Sequence, residues 1–280
     1  MLISQPPVNT AIQIISRTLF VVSSNVPDRV LGVIPARYAS SRFPGKALAT
    51  LAGKSILQHV WEKASQARYL SEVIIATDDD RILQTARSFG AQVRLTRSDH
   101  PSGTDRAAEV ASSHAARLVV NVQGDEPLID PAAIDAAVLS LLHDEDAPMA
   151  TLKKLIEDPD EITNPNVVKV VTGIDGNAIY FSRCPIPYLR QEKAHYYKHI
   201  GLYVYRRDFL LGYSALPVGP LEKSECLEQL RALENGYRIR VAETDYESLG
   251  VDTPEDLERV QKLISTHAWH SLNTATKGNK

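Results

Sequence analysis

Apolar positions along the chain come in short runs that alternate with stretches of helical spacing, and the alternation begins at Val30. Val30 to Pro35 is a near-continuous apolar run closed by proline, which predicts a buried strand. Ile56, Leu57, Val60, Trp61 and Ala64 repeat at helical spacing. Val73 to Thr77 predicts a second strand. It runs into Asp78, Asp79 and Asp80, the acidic first turn of a helix that carries Ile82, Leu83, Ala86 and Phe89 and ends at Gly90. A strand around Val93, a helix over Ala107 to His114, a strand over Leu118 to Val122 and a helix over Pro131 to Leu142 follow. Strand and helix units in succession predict a parallel sheet wrapped by right-handed crossovers.

The middle third alternates differently. Met149 to Lys153, Val167 to Val171 and Ala178 to Ser182 look like antiparallel strands, with Asp175-Gly176 as a hairpin turn between the last two. Ile200 to Tyr205 predicts another strand. Tyr196, Tyr197, Tyr203 and Tyr205 concentrate aromatic surface here, as a lid or a subunit contact would. The α/β pattern then returns, with a helix over Cys226 to Glu234 and a strand over Ile239 to Ala242. The last helix is opened by Thr253-Pro254-Glu255-Asp256, a cap, a first-turn proline and two acidic residues.

Composition narrows the class. The chain has 280 residues, enough for one large domain with a substantial core. The domain is expected over 30–265, after an N-terminal extension (1–29) and before a polar tail (266–280). With 31 Lys+Arg against 34 Asp+Glu and no long basic run, the balance argues against nucleic acid or an anionic membrane as the main partner and favours a small molecule. No stretch holds the roughly 18 to 20 uninterrupted apolar residues that span a bilayer, since Arg17 breaks the fairly apolar Ala11 to Val22. Two cysteines, Cys184 and Cys226, build no disulfide framework, so a reducing compartment, the cytoplasm, is the expected location. Cys184, beside a proline and without a nearby base, is expected to be a small buried filler.

The candidate chemistry lies where predicted strands end. Pro35 to Lys46 leaves the first strand as a loop with Arg37, Arg42 and Lys46, three cations suited to a triphosphate. It is not a Walker loop: Gly45-Lys46 is followed by Ala47, and Gly53-Lys54-Ser55 lacks the earlier glycine. Asn121-Val122-Gln123-Gly124-Asp125-Glu126-Pro127 closes another strand and brings Asp125 to the same sheet edge. A carboxylate beside phosphate-binding cations points to Mg²⁺, with Asp252 as candidate second ligand and helix capping as its simpler role. Ser102-Gly103-Thr104 is a loop able to touch a nucleoside or simply to turn. His195 and His199 lack a third ligand at zinc spacing.

Seven segments in order, Ile34 to Lys46, Arg97 to Glu109, Asn121 to Pro127, Asn164 to Arg183, His199 to Tyr203, Leu227 to Arg231 and Gly250 to Leu257, together resemble the bacterial 3-deoxy-D-manno-octulosonate (Kdo) cytidylyltransferases. The resemblance runs from about Val30 to Ile264. It implies a three-layer, Rossmann-like α/β fold of the nucleotide-diphospho-sugar transferase type: a mixed sheet with a mid-chain antiparallel insertion at about 150–220 that builds a homodimer. It implies Mg²⁺-dependent transfer of CMP from CTP to Kdo, with release of pyrophosphate, in lipopolysaccharide synthesis. It puts Arg37 and Lys46 on the triphosphate, with Ser40 and Ser102 also on CTP, Gln123 on the cytosine, and Asp125 and Asp252 on magnesium. Arg183, His199, Tyr203, Glu228 and Gln229 correspond to the sugar-acid pocket. Two rival expectations stand beside this one: the same chemistry on an 8-amino or other 2-keto sugar acid, and a non-catalytic nucleotide-binding module.

Overall fold

The computed structural model describes residues 29–40, 42–190 and 195–266. The bulk of the expected N-terminal extension and of the polar tail lies outside the described residues. In chain order the elements are β1 (Val30–Ala36), β2 (Thr50–Leu51), β3 (Lys54–Ser55), α1 (Ile56–Ala64), β4 (Glu72–Thr77), α2 (Asp80–Ser88), β5 (Gln92–Leu95), α3 (Gly103–Ser112), β6 (Leu118–Asn121), α4 (Pro131–Leu142) and β7 (Met149–Leu155). They continue with α5 (Pro159–Thr163), β8 (Lys169–Thr172), β9 (Ala178–Ser182), β10 (Tyr197–Arg206), α6 (Arg207–Tyr213), α7 (Pro220–Glu225), α8 (Leu230–Glu234), β11 (Ile239–Glu243) and α9 (Pro254–Ser265).

The main sheet runs β11-β7-β10-β6-β1-β4-β5, and the β8–β9 hairpin hangs from β10. β1 pairs in parallel with β4 and with β6, while β10 runs antiparallel to both β6 and β7. The chain therefore winds outward from β1 through β4 to β5 and then resumes on the other side of β1 at β6. Such a reversal splays the loops at the carboxyl ends of the two strands and opens a crevice between them.

Alternation along β1 explains the three layers. Val30 and Ile34 face a core built with α1, α2 and α4, whereas Leu31 and Val33 face a second core built with α3, α6 and Leu230 of α8. These four β1 residues are 0–2% exposed, as expected for a parallel strand covered by helices on both sides.

Four sequence expectations change. Ser102-Gly103-Thr104 is no plain loop: the Ser102 hydroxyl accepts from Asp105 N and caps α3, which starts four residues earlier than periodicity alone predicts. The helix over Cys226 to Glu234 is two helices, because Cys226 adopts φ 51° and stops α7. Cys184 is exposed rather than buried. Finally, β10 is an internal strand of the main sheet, so Tyr205, 2% exposed, belongs to the core and not to an aromatic surface. The exposed apolar surface of this region is instead Ile174, Ile179, Tyr188 and Leu189, on and after the hairpin. Among the described residues no helix is long and apolar enough to cross a membrane.

Candidate active site

The crevice between β1 and β6 is a cleft of about 300 Å³ lined by Arg37, Ser40, Arg42, Lys46, Ser102, Gln123, Asp125 and Asp252, among others. Backbone geometry assembles it. Val122 N donates to Val33 O at 2.9 Å, holding the loop after β6 against β1. Gly124 makes the close approach: a Cβ there would lie 2.7 Å from the Pro35 carbonyl oxygen. Val251 N donates to Asp125 O at 2.9 Å, which ties the entry to α9 onto the same loop. Lys46 opens a short 3₁₀ turn after Gly45, whose N–H donates to Tyr38 O at 2.9 Å and folds the first loop back over the cleft.

These constraints bring together residues far apart in sequence. Lys46 Nζ donates to Asp125 Oδ2 at 2.6 Å and to Asp252 Oδ1 at 2.9 Å, and Arg42 Nη2 lies 3.0 Å from Asp252 Oδ2. Burial alone would lower the Lys46 pKa, but the two carboxylates and their hydrogen bonds hold the ammonium above its ordinary value, so it stays charged. Asp252 does not cap α9. Thr253 and Asp256 form the capping box, which leaves the Asp252 carboxylate free to face the cleft.

A second cavity of about 170 Å³ abuts the first and shares Gly103 and Gln123 with it. Its lining includes Asn121, Tyr203, Tyr205, Tyr213, Glu228 and Gln229. Gln123 Nε2 donates to Gly201 O at 3.0 Å across the boundary. Burial raises the Glu228 pKa, with Asp105 and Glu222 adding to it against a hydrogen bond from Thr104 and the charge of Arg231. Burial raises the Tyr203 phenol even more strongly.

Two expected sugar contacts do not line either cavity. The Arg183 guanidinium donates to the carbonyls of Glu225, Pro165 and Cys226 at 2.8, 2.9 and 3.4 Å, which commits it to the backbone around the α7 terminus. His199 lies behind Tyr203, ring centroids 5.4 Å apart and edge-on to Phe181. The Thr151 hydroxyl gives its one proton to the carbonyls of Ile200 and Leu202, so it accepts from His199 Nε2–H at 2.9 Å and fixes the tautomer.

Burial lowers the His199 pKa to about 3. The folded state thus holds it neutral while the unfolded chain protonates first, near 6.5. The stability this provides is complete above pH 6.5 and is lost as pH falls toward 3, by at most about 1.4 kcal/mol per pH unit. Urea melts between pH 7 and 4 should show a shallower acid loss in His199→Gln than in the parent, and identical slopes would contradict the assignment.

Sequence reasoning passed over Glu126, although it stands next to Asp125. Its carboxyl accepts from Tyr246 Oη at 2.9 Å and Ser248 Oγ at 2.7 Å, clamping the segment that leads to Asp252. Burial raises its pKa to about 7, with Asp125 adding to the rise and the two hydroxyls opposing it. Only the acidic pair after a strand hinted at it; its partners lie 120 and 122 positions away. Arg106 was also missed: buried in the cleft wall, it pairs with Asp78 at 3.1 Å.

A switch-point cleft with a cationic first loop and two facing carboxylates, beside an adjoining polar cavity, suits nucleotidyl transfer. The family model described as cytidylyltransferase matches residues 31–239. The 3-deoxy-manno-octulosonate cytidylyltransferase of Solibacter usitatus (strain Ellin6076) is 70% identical over 241 residues, covering 85% of this chain and 96% of its own. That of Geobacter sulfurreducens is 55% identical over 247 residues, covering 84% and 99%. The chain belongs to the 3-deoxy-manno-octulosonate cytidylyltransferases, within the cytidylyltransferase family. Among solved structures, CMP:2-keto-3-deoxy-manno-octonic acid synthetase complexed with CTP superposes with a TM-score of 0.83 at 45% identity, over 86% of this chain and all of that one. A cytidylyltransferase from Leptospira borgpetersenii shares the fold, with a TM-score of 0.57 at 19% identity over 85% and 87% of the two chains.

Proposed function

We propose that the protein transfers CMP from CTP to the anomeric hydroxyl of Kdo, releasing pyrophosphate and providing CMP-Kdo for lipopolysaccharide synthesis. The observation that carries the geometry is the meeting of Lys46, Asp125 and Asp252 in the cleft that Arg37 and Arg42 border. The anomeric oxygen attacks the α-phosphorus in line. A bond forms between them, the bond from that phosphorus to the bridging oxygen breaks, and the hydroxyl proton leaves to solvent. No covalent enzyme intermediate is needed, so positioning and charge neutralisation supply the catalysis.

Arg37, Arg42 and Lys46 offset charge that grows on the departing pyrophosphate, and Ser40 and Ser102 border the same phosphate path. Gln123, at the boundary of the two cavities, faces the cytosine. Tyr203, Glu228 and Gln229 hold the sugar in the adjoining cavity. Arg183 and His199 act through this pocket's frame, one through the α7 terminus and the other beneath Tyr203.

The donor set fits Mg²⁺: two carboxylates face each other across the Lys46 ammonium beside a phosphate cradle, the one or two carboxylates that such an ion usually takes from a protein together with phosphate oxygens and water. Asp125 and Asp252 would hold the ion, whose chemistry there would be charge neutralisation at the reacting phosphate. Two exposed free thiols, Cys184 and Cys226, suit the reducing cytoplasm as the site of the reaction.

Purified protein with CTP, Mg²⁺ and Kdo should release pyrophosphate, and turnover no higher than in the sugar-free control would overturn the reading. We further infer a two-fold homodimer through the β8–β9 hairpin and the segment after it, where Ile179 is 64% and Tyr188 88% exposed. Sedimentation at micromolar concentration should give twice the chain mass, and Ile179→Asp should give the monomer. A parent monomer would refute the dimer.

A further inference from the structure

The adjoining cavity holds two buried polar atoms with no hydrogen-bond partner in the described structure, Asn121 Oδ1 and Gln229 Nε2. Asn121 is 2% exposed and Gln229 4%. Asn121 is also the one polar residue of β6, whose other members, Leu118, Val119 and Val120, are fully buried and apolar. Its register partner on β10 is Tyr203, so both side chains leave the same face of the sheet, the face toward the cavity. An amide buried at the end of an apolar strand without a partner is unfavourable unless a ligand completes it.

The two orphan atoms are complementary: one accepts, the other donates. A hydroxyl satisfies both at once, since its hydrogen goes to an acceptor while its oxygen receives a donor. Around them stand the phenols of Tyr203, Tyr205 and Tyr213 and the carboxyl of Glu228, polar groups on aromatic walls, as a polyhydroxylated ligand requires. The triphosphate cations lie on the other side of Gly103 and Gln123.

We propose that Asn121 is a specificity-determining residue: its Oδ1 accepts from a hydroxyl of the sugar acid, and Gln229 Nε2 donates to the same oxygen. This rests on the function proposed above and adds to it the group that reads the sugar. A site built to bond a hydroxyl rejects an analogue that lacks it, because the paired amides are then left buried and unsatisfied.

The test is steady-state pyrophosphate release with CTP, Mg²⁺ and either Kdo or a set of monodeoxy Kdo analogues, for the parent, Asn121→Ala, Gln229→Met and the double variant. Asn121→Ala should lose on the order of 30-fold in kcat/KM for Kdo while KM for CTP stays within about twofold. For one monodeoxy analogue the difference between parent and variant should vanish, and the double variant should lose much less than the product of the single losses. An equal loss on every analogue would mark a merely structural role, and a rise in KM for CTP would move the pair to the nucleotide; either overturns the proposal. If Asn121→Ala fails to fold, Asn121→Ser and Gln229→Met carry the same comparison. A parent that turns over no Kdo would instead overturn the function itself.

Discussion

Asp125→Asn and Asp252→Asn should each reduce kcat/KM on the order of 10³-fold while leaving the fold intact. Each substitution keeps the side-chain shape and removes one negative charge from the point where both carboxylates meet Lys46, at 2.6 and 2.9 Å. Metal ions contribute several kcal/mol to transition states of this kind, which corresponds to losses of that size. If both residues hold one ion, as proposed, the double variant should lose far less than the product of the single losses. Magnesium titrations should show saturation moved to higher concentration in each single variant. A purely structural role for Asp252 predicts near-normal turnover and a lower melting temperature instead, but the capping bonds of α9 already belong to Thr253 and Asp256. Melting temperatures therefore should move little, and a fully active, less stable Asp252→Asn protein would remove Asp252 from the site.

Gly124→Ala should be nearly as damaging, although no functional group is lost. The added methyl would sit 2.7 Å from the Pro35 carbonyl oxygen, inside any tolerable contact, and that oxygen is backbone. Relief requires the loop after β6 to move away from β1, carrying Asp125 from the cations of the first loop. Misplacement of a reacting group by about an ångström costs on the order of 10²-fold, so kcat/KM should fall by that factor. Stability should fall by about 1 to 3 kcal/mol, the usual cost of overpacking. Gly212→Ala provides the control. It lies in α6 with nothing near the new methyl, so activity should be unchanged and stability equal or slightly higher. If Gly124→Ala retains parental kcat/KM, the close approach of the two loops is not what sets the cleft.

Where periodicity is local, the chain announced its own structure. The apolar run of β1, the spacing of α1 and the proline-led starts of α4 and α9 fall within a residue or two of the observed bounds, because each is fixed by neighbours a few positions away. The meeting of the cationic loop and Asp125 in one cleft was legible for a related reason: residues that follow parallel strands collect at one edge of the sheet. What escaped was set by distant partners. Nothing in Ile200 to Tyr205 reveals that β10 runs antiparallel between β6 and β7 and buries Tyr205. Cys226 breaks a helix through a left-handed conformation that its sequence does not advertise. Arg183 is attractive for a carboxylate on residue type alone, yet its fork is taken up by carbonyls contributed from two other segments. Glu126 shows its importance only when Tyr246 and Ser248 are seen to converge on it.

The bond from Val251 N to Asp125 O, and the meeting of Lys46 with Asp252, join the first loop of the domain to the threshold of its last helix. During synthesis, therefore, a nascent chain that has already formed β1, β4 and β6 owns a cationic loop but lacks one of its two carboxylates. With Asp252 in its proposed role, competence should arrive at a single late moment, when the closing segment emerges and docks. On the proposed roles, a growing polypeptide should have no means of consuming nucleotide until then, and one cut short before Asp252 should stay inert.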